Sequence, residues 1–467
     1  MTIFFVSLFF FFCWLESQAD YPHTDEYQSL LSALGFPVYT PTLYVRFLSF
    51  FADFFPDFPS LVRFNFIASQ CFLALCFFFY HLKKKISIGT NLVVTAILSM
   101  ATINVALTRK MHFWAAGFFF LILFLADFFS GKKKNLFLVF SFLLLGFFRV
   151  EFFLSALAAL FIWLSPHLDR RKKIGLLLAG TFVVVSAIAQ FGYGMKELLR
   201  ESFHLEGNPD VVEIAATWAK LFFSNMGLHL FYSVTSLMAT FRMYFFTLSL
   251  ALLLLFPLVD NFKGNALRTK QIFLNEIFPY WLPASCALFS IRFIDFYVIT
   301  TFVFLMSTLA FLLNSKKSKV AAWITLGLVL SAFFVRRPDF KESAYINFPS
   351  YLRGGTVHRQ TFDLISRLEM KPGIEPYKIL FNQYVAGVLP YENREYFQFA
   401  DLKKLCVKGT LAFDIVLLPG KWFTVPEQDL LESCVYPSLS PMKHIKIAPG
   451  YDLYVSSRIT SEKMPLK

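Results

Sequence analysis

The sequence predicts a polytopic α-helical membrane protein of about eleven transmembrane segments, followed by a small water-facing α/β domain. Three observations carry that expectation. The 467-residue chain is 57% hydrophobic and 16% charged, with 63 Phe, against about 45–50% apolar and about 25% charged in soluble domains. Its apolar stretches are divided by short lysine clusters, and from roughly Arg336 onward the composition turns polar. Lipid is then the solvent for most of the chain. Backbone amides in hydrocarbon must pair within their own segment, which makes the apolar stretches helices.

Each expected span is bounded by its flanks. Segment 1 (about Ile3–Leu15) lacks the basic start and small-residue cleavage site of a signal peptide, so it is retained as a span. A polar stretch, the 16–63 loop, follows it. Segment 2 (Phe64–Leu82) ends at Lys83, Lys84 and Lys85; segments 3 and 4 (about Ile86–Leu107 and His112–Phe129) end at Lys132, Lys133 and Lys134. Segments 5 and 6 (about Leu136–Phe148 and Phe152–Leu164) lead to Arg170, Arg171, Lys172 and Lys173. Segment 7 (Ile174–Tyr193) opens a second polar stretch, Gly194–Asn225, and segment 8 (Tyr244–Val259) returns to Lys263, Arg268 and Lys270. Segments 9 and 10 (Ile272–Phe289 and Phe296–Leu313) end at Lys316, Lys317 and Lys319, before segment 11 (Val320–Val335).

With the N-terminus inside, all five clusters face the cytoplasm, as the positive-inside bias requires. Leu221–Met238 is also apolar; as a full span it would invert every later cluster, so it is read as interfacial or re-entrant. The chain thus divides into a membrane domain, 1–337, and an extracytoplasmic domain, 338–467. In the latter, Tyr377–Phe381, Tyr396–Phe399 and Phe413–Leu418 read as strands, and His444–Val455 as a hairpin about Pro449-Gly450. Phe362–Met370 and Asp429–Cys434 read as short helices. Cys13, Cys71, Cys76 and Cys286 lie in apolar segments as packing residues. Cys406 and Cys434 are either paired, if their compartment is oxidising, or two free thiols.

The formal charge of +13 does not call for nucleic acid, because many of the basic residues are the span-flanking clusters. Ion-coupled carriers place ionisable groups near the bilayer midplane. Here Asp127 and Glu276 lie near inner ends and Arg242 at an outer end. The polar equipment gathers at outer ends: Asp25, Glu26, Arg109, Lys110, His112, Arg149, Glu151, Arg292 and Asp295. Such an arrangement suits chemistry at the outer interface on a lipid-borne substrate. The second outer stretch adds Glu201, His204, Glu206, Asp210 and Glu213, which a solvated loop explains.

The first outer loop opens Asp20-Tyr21-Pro22-His23-Thr24-Asp25-Glu26-Tyr27-Gln28, an acidic pair starting an amphipathic run through Leu34. Acidic residues favour helix N-termini, so capping alone accounts for the pair. A second run, Leu43–Phe55, leads past Pro56 and Pro59 and through Arg63 into segment 2.

This order of short span, acidic pair, juxtamembrane helices and entering arginine resembles the membrane glycosyltransferases of the GT-C fold, which use polyprenyl-phosphate sugars. His23-Thr24-Asp25-Glu26-Tyr27-Gln28 is similar to the His-Pro-Asp-Glu-x-x-Gln signature of the mannosyltransferases of GPI-anchor and dolichol-pathway assembly. It differs in Thr24 for Pro, in one residue fewer before Gln28, and in Leu31 about where that family carries a further Glu. The resemblance in layout covers nearly the whole chain, Arg149-Val150-Glu151 between segments 5 and 6 included.

The resemblance implies a GT-C-like fold and an inverting glycosyltransferase of the cytoplasmic (inner) membrane, with a cytoplasmic N-terminus and an outer active site. Its partners would be a lipid-linked sugar donor, membrane lipids, and a glycan, lipid or protein acceptor. Asp25 is implied as the base that takes the acceptor proton, with Glu26 as neighbour or alternate. Arg109, Lys110, Arg149 and Arg292 are candidates for clamping the departing phosphate, and His112 for a further polar contact. Each cation also has a plain reading as a headgroup-level anchor. A divalent metal at Asp25 and Glu26 is a candidate cofactor, although no complete ligand set is visible. The rival expectations are an O-antigen polymerase or ligase, and a transporter or flippase of lipid-linked sugars.

Overall fold

The computed structural model describes residues 1–18, 25–35, 43–101, 110–149, 152–164, residues 303, 306–307, 309–311, 313 and 323, and, in the C-terminal region, 369–370, 377–381, 394–398, 413–419, 431–448, 451–457 and 459–460. Segments 7 to 9, nearly all of segment 11, the 194–240 stretch and Arg109 and Arg292 lie outside them.

Eight helices cover the described N-terminal residues: α1 (Thr2–Gln18), α2 (Asp25–Ala33), α3 (Leu43–Ala52), α4 (Phe58–Lys83), α5 (Ile88–Ala101), α6 (Lys110–Ala126), α7 (Gly131–Phe148) and α8 (Phe153–Leu164). Among the described residues, α4 alone is both long and apolar enough to cross a bilayer; the other apolar helices are shorter. Its 26 residues amount to about 39 Å at the α-helical rise.

Local chemistry sets the ends. Asp57 caps α4, its carboxylate accepting the Ser60 N–H at 2.9 Å, and Pro59 sits in the first turn where no intrahelical donor is lost. The helix therefore begins six residues before the apolar run that announced it. At the other end, Lys85 adopts φ 64°. The Ile86 and Lys85 amides fold back onto the His81 and Leu82 carbonyls, a Schellman closure with lysine in the seat usually held by glycine. Ser87 then caps α5 through the Thr90 N–H.

The chain forms two compact units. In the first, which holds 67–101, 110–164 and the described residues of 303–323, α4 and α6 run parallel. Phe72 meets Trp114 at 5.1 Å, Phe77 meets Phe120 at 5.0 Å, and Lys83 Nζ donates to the Phe124 carbonyl at 3.0 Å. Helix α7 returns antiparallel to α6, with Phe129 against Phe137 at the turn, then Phe119 on Phe142 and Phe118 on Phe148. Close approach is bought with glycine: a Cβ on Gly117 would enter the Phe72 ring, and one on Gly146 the Phe153 ring.

Two lysine clusters meet at one end of this unit, where Asp127 pairs with Lys84 at 3.0 Å and Lys134 at 2.7 Å. Nearby, His81 is fully buried between α4 and a helical stretch of segment 10, its Nε2 2.9 Å from Ser307 Oγ and its Nδ1 2.7 Å from the Phe77 carbonyl.

The second unit holds 13–66 and the described C-terminal residues. Its five-stranded sheet runs β3 (Arg394–Gln398), β2 (Tyr377–Phe381), β4 (Ile415–Pro419), β6 (Tyr451–Val455), β5 (Lys443–Ala448). Strand β2 pairs parallel with β3 and β4, whereas β4–β6 and β6–β5 are antiparallel. The central strand Ile415-Val416-Leu417 is wholly buried, as the continuous apolar run of an interior strand should be. Buried Asp414 ties the sheet at its entry, its carboxylate accepting the Lys378 N–H at 3.0 Å.

The expected strands and hairpin fall within a few residues of these elements. One expected helix does not. Glu369–Met370, read as the end of a helix, is strand β1, paired with β7 (Ile459–Thr460), while the rest of Phe362–Met370 lies outside the described residues. Of the expected helix Asp429–Cys434, the described residues are helical: a π turn, Leu431–Val435, passes into a short helix, Tyr436–Leu439, with Pro437 in its first turn. Cys434 is disulfide-bonded, and its partner lies outside the described residues.

Gly117→Val is expected to lower stability by about 1–3 kcal/mol through overpacking on Phe72, read as a fall in the thermal midpoint in detergent. Gly89→Ala, which meets nothing within 4 Å, should leave stability unchanged or raise it by up to about 1 kcal/mol, with the midpoint unchanged or higher.

Candidate functional site

The first loop builds its site around a carboxylate. Glu26 occupies the first position of a buried series on α2 that continues through Ser29, Leu30 and Ala33, the spacing of one helix face. Facing it are Tyr44, Val45 and Leu48 of α3, and Phe58, Leu61, Val62 and Asn65 of α4. Glu26 is only 1% exposed. The Tyr44 hydroxyl donates to Glu26 Oε1 at 2.6 Å, and Asn65 Nδ2 donates to the same oxygen at 2.6 Å. Asn65 Nδ2 also reaches the Tyr44 oxygen at 3.0 Å, closing a three-membered network. One carboxylate oxygen thereby holds three helices together.

Isolated burial would cost a carboxylate several kcal/mol, and short charge-assisted hydrogen bonds are what offsets it. The tyrosine responds in turn. Burial first, then the Glu26 charge and its hydrogen bond, push the Tyr44 phenol well above its ordinary value, with the Asn65 amide acting in the opposite sense.

A second tie brings α1 to α4. Arg63 Nε lies 3.3 Å from Glu16 Oε2, coupling the end of α1 to the start of α4. This is the arginine that the sequence places at the entry to segment 2.

Asp25 is the first residue of α2. The implied pair therefore takes two places: Glu26 is in the interior of the helix cluster, and Asp25 is at the helix N-terminus, where a carboxylate is favoured by the macrodipole.

In the other unit, Lys110, His112 and Arg149 are all buried. Lys110 opens α6, with its Nζ 5.0 Å from the Phe113 ring centroid. Arg149 follows α7 in an extended conformation, φ −145° and ψ 117°, its N–H on the Leu145 carbonyl at 2.8 Å and its own carbonyl accepting from Phe152 at 3.0 Å. Because α6 and α7 are antiparallel, the start of one and the end of the other share an end of the hairpin. That end is opposite the Lys84–Asp127–Lys134 ties. These three residues thus lie toward the same end of the hairpin. Among the described residues no group of three or more His, Cys, Asp or Glu is arranged to hold a metal.

Sequence reasoning missed Tyr44 and Asn65. The signal for Asn65 was available: a lone amide inside an apolar run requires a partner, because an unpaired amide there is costly. Tyr44 is the one hydroxyl-bearing ring of the run Leu43–Phe55, but the run itself does not show that its partner lies on α2. No protein-family model, curated protein or solved structure matches the chain.

Since the Tyr44 phenol is raised in the folded state, its contribution to stability is complete below pH about 10 and is lost as the pH climbs past that value, where the unfolded chain ionises first. Alkaline unfolding should therefore steepen above that pH in the wild type. Tyr44→Phe is expected to cost about 1.5–3 kcal/mol at neutral pH and to flatten the alkaline limb, both measurable by thermal unfolding across a pH series.

Proposed function

We propose that the chain is an inverting glycosyltransferase that moves a sugar from a polyprenyl-phosphate donor to a glycan, lipid or protein acceptor at the outer face of the membrane. The observation that carries the reading is the Glu26–Tyr44–Asn65 lock. It fixes helix α2 within the first loop so that Asp25 stands at a rigid helix start, and a catalytic base needs that rigidity.

In the reaction, the Asp25 carboxylate accepts the proton of the acceptor hydroxyl as its oxygen attacks the anomeric carbon. The bond from that carbon to the donor phosphate breaks, and the polyprenyl phosphate leaves with the bonding electrons. A single displacement inverts the anomeric centre. The family resemblance assigns Arg109, Lys110, Arg149 and Arg292 the positive charge that would steady the departing phosphate, and His112 a further polar contact. Glu26 holds the base in place and does not take the proton.

Two further observations support a membrane enzyme with an outer C-terminal domain. Helices α1 and α7 each expose a stripe of large apolar side chains, Ile3, Val6, Phe10 and Trp14 on one and Leu136, Phe140, Leu143, Leu144 and Phe147 on the other; water would penalise both. The disulfide at Cys434 belongs to an oxidising compartment.

Asp25→Asn should reduce sugar transfer from a polyprenyl-phosphate donor by about 100-fold or more. Glu26→Gln, whose amide oxygen still accepts from Tyr44 and Asn65, should retain activity within about tenfold. Full transfer in the Asp25 variant, assayed in membranes, would sink the reading.

A further inference from the structure

Helix α7 begins with Gly131-Lys132-Lys133-Lys134 and then exposes Leu136, Phe140, Leu143, Leu144 and Phe147. Lys132, Leu136, Phe140, Leu143 and Phe147 follow the i, i+4, i+8, i+11, i+15 spacing of one line along a helix. Lys133 lies beside that line, above Phe140 and Leu144. The exposed face is thus apolar along its length and cationic at one end.

The charges there are not equivalent. Lys134 and Lys84 share the Asp127 carboxylate, and Lys83 is committed to the Phe124 carbonyl and to the Phe128 ring, 3.4 Å from its centroid. Lys132 and Lys133 are exposed and, among the described residues, carry no ion pair. One carboxylate against the lysines of two clusters leaves a cationic surplus, to which these two contribute. From Leu136 to Phe147 the stripe rises about 17 Å, close to the hydrocarbon depth of one leaflet, about 15 Å.

We propose that this face of α7 is a binding site for one anionic phospholipid of the lysine-side leaflet, its phosphate on Lys132 and Lys133 and an acyl chain along Leu136–Phe147. Charge complementarity selects an anionic headgroup over a zwitterionic one, and the length of the stripe selects a leaflet lipid over a soluble phosphate. Phe128 and Phe129, also exposed, extend the apolar wall beside the cations. The inference rests on the membrane-embedded reading of these helices and is independent of the glycosyl-transfer chemistry.

The test uses the full-length chain, first reconstituted and floated with vesicles of phosphatidylcholine, and then, in detergent, titrated with phosphatidylglycerol or phosphatidylcholine while retained lipid is counted by native mass spectrometry. The wild type should retain phosphatidylglycerol in preference, and Lys132→Gln/Lys133→Gln should weaken that preference roughly 20- to 30-fold, from about 1 kcal/mol per lysine at an anionic surface. Lys316→Gln/Lys317→Gln, in another cluster, should leave it intact. Equal retention of both lipids by the wild type, or a preference unchanged in the Lys132/Lys133 variant or lost equally in the control, overturns the site. Failure to float with any vesicle overturns the membrane reading itself.

Discussion

A carboxylate taken out of water loses hydration worth several kcal/mol, and only well-aimed donors return it. Glu26 obtains both of its described donors from other helices, Tyr44 from α3 and Asn65 from α4. None of the three helices can then slide without leaving a charge or a hydroxyl stranded in an apolar surround. The residues around the network, Leu30, Val45, Leu48 and Leu61 among them, keep water from competing for the carboxylate. Packing and polarity reinforce one another: the apolar shell makes the hydrogen bonds strong, and the hydrogen bonds fix the register in which the shell packs.

The same logic, turned outward, organises the first unit. Asn91, Thr95 and Ser99 of α5 are buried at i, i+4, i+8 while Ile88 and Val93 are exposed, and Asn91 donates to the Phe78 carbonyl at 2.7 Å. On α5 these three polar side chains share the interior with Val94, Ile97 and Leu98. Aromatic pairs then knit α4 to α6 and α6 to α7 wherever rings turn inward, with glycine admitting the larger partner at the closest crossings.

Much of this was legible beforehand, for identifiable reasons. Charge clusters marked where α4 ends and where α6 and α7 turn, because a run of lysines ends an apolar stretch whatever the local fold. Apolar β-branched runs marked β2 and β4. Helix starts were not legible from hydropathy, since α4 begins at a capping aspartate and α7 at Gly131, well before their apolar residues. Phenylalanine carries no facing signal either: Phe113 and Phe120 are wholly buried while Phe10 and Phe140 are exposed, all within similar apolar runs. The acidic pair was visible as a pair, but its division into a buried anchor and a helix-terminal carboxylate needed the partners on two other helices. Tyr44 lies 18 residues and Asn65 39 residues from Glu26, beyond any local pattern.

The bond between His81 and Ser307 joins residues 226 apart in sequence, and that separation bears on biogenesis. During synthesis α4 is made long before its partner exists, so the imidazole must spend the intervening time against some other surface. The N-terminal bundle is consequently an unfinished intermediate until segment 10 arrives. Cellular quality control would encounter it as a chain with one polar ring still exposed, and release from such surveillance would coincide with the docking of Ser307.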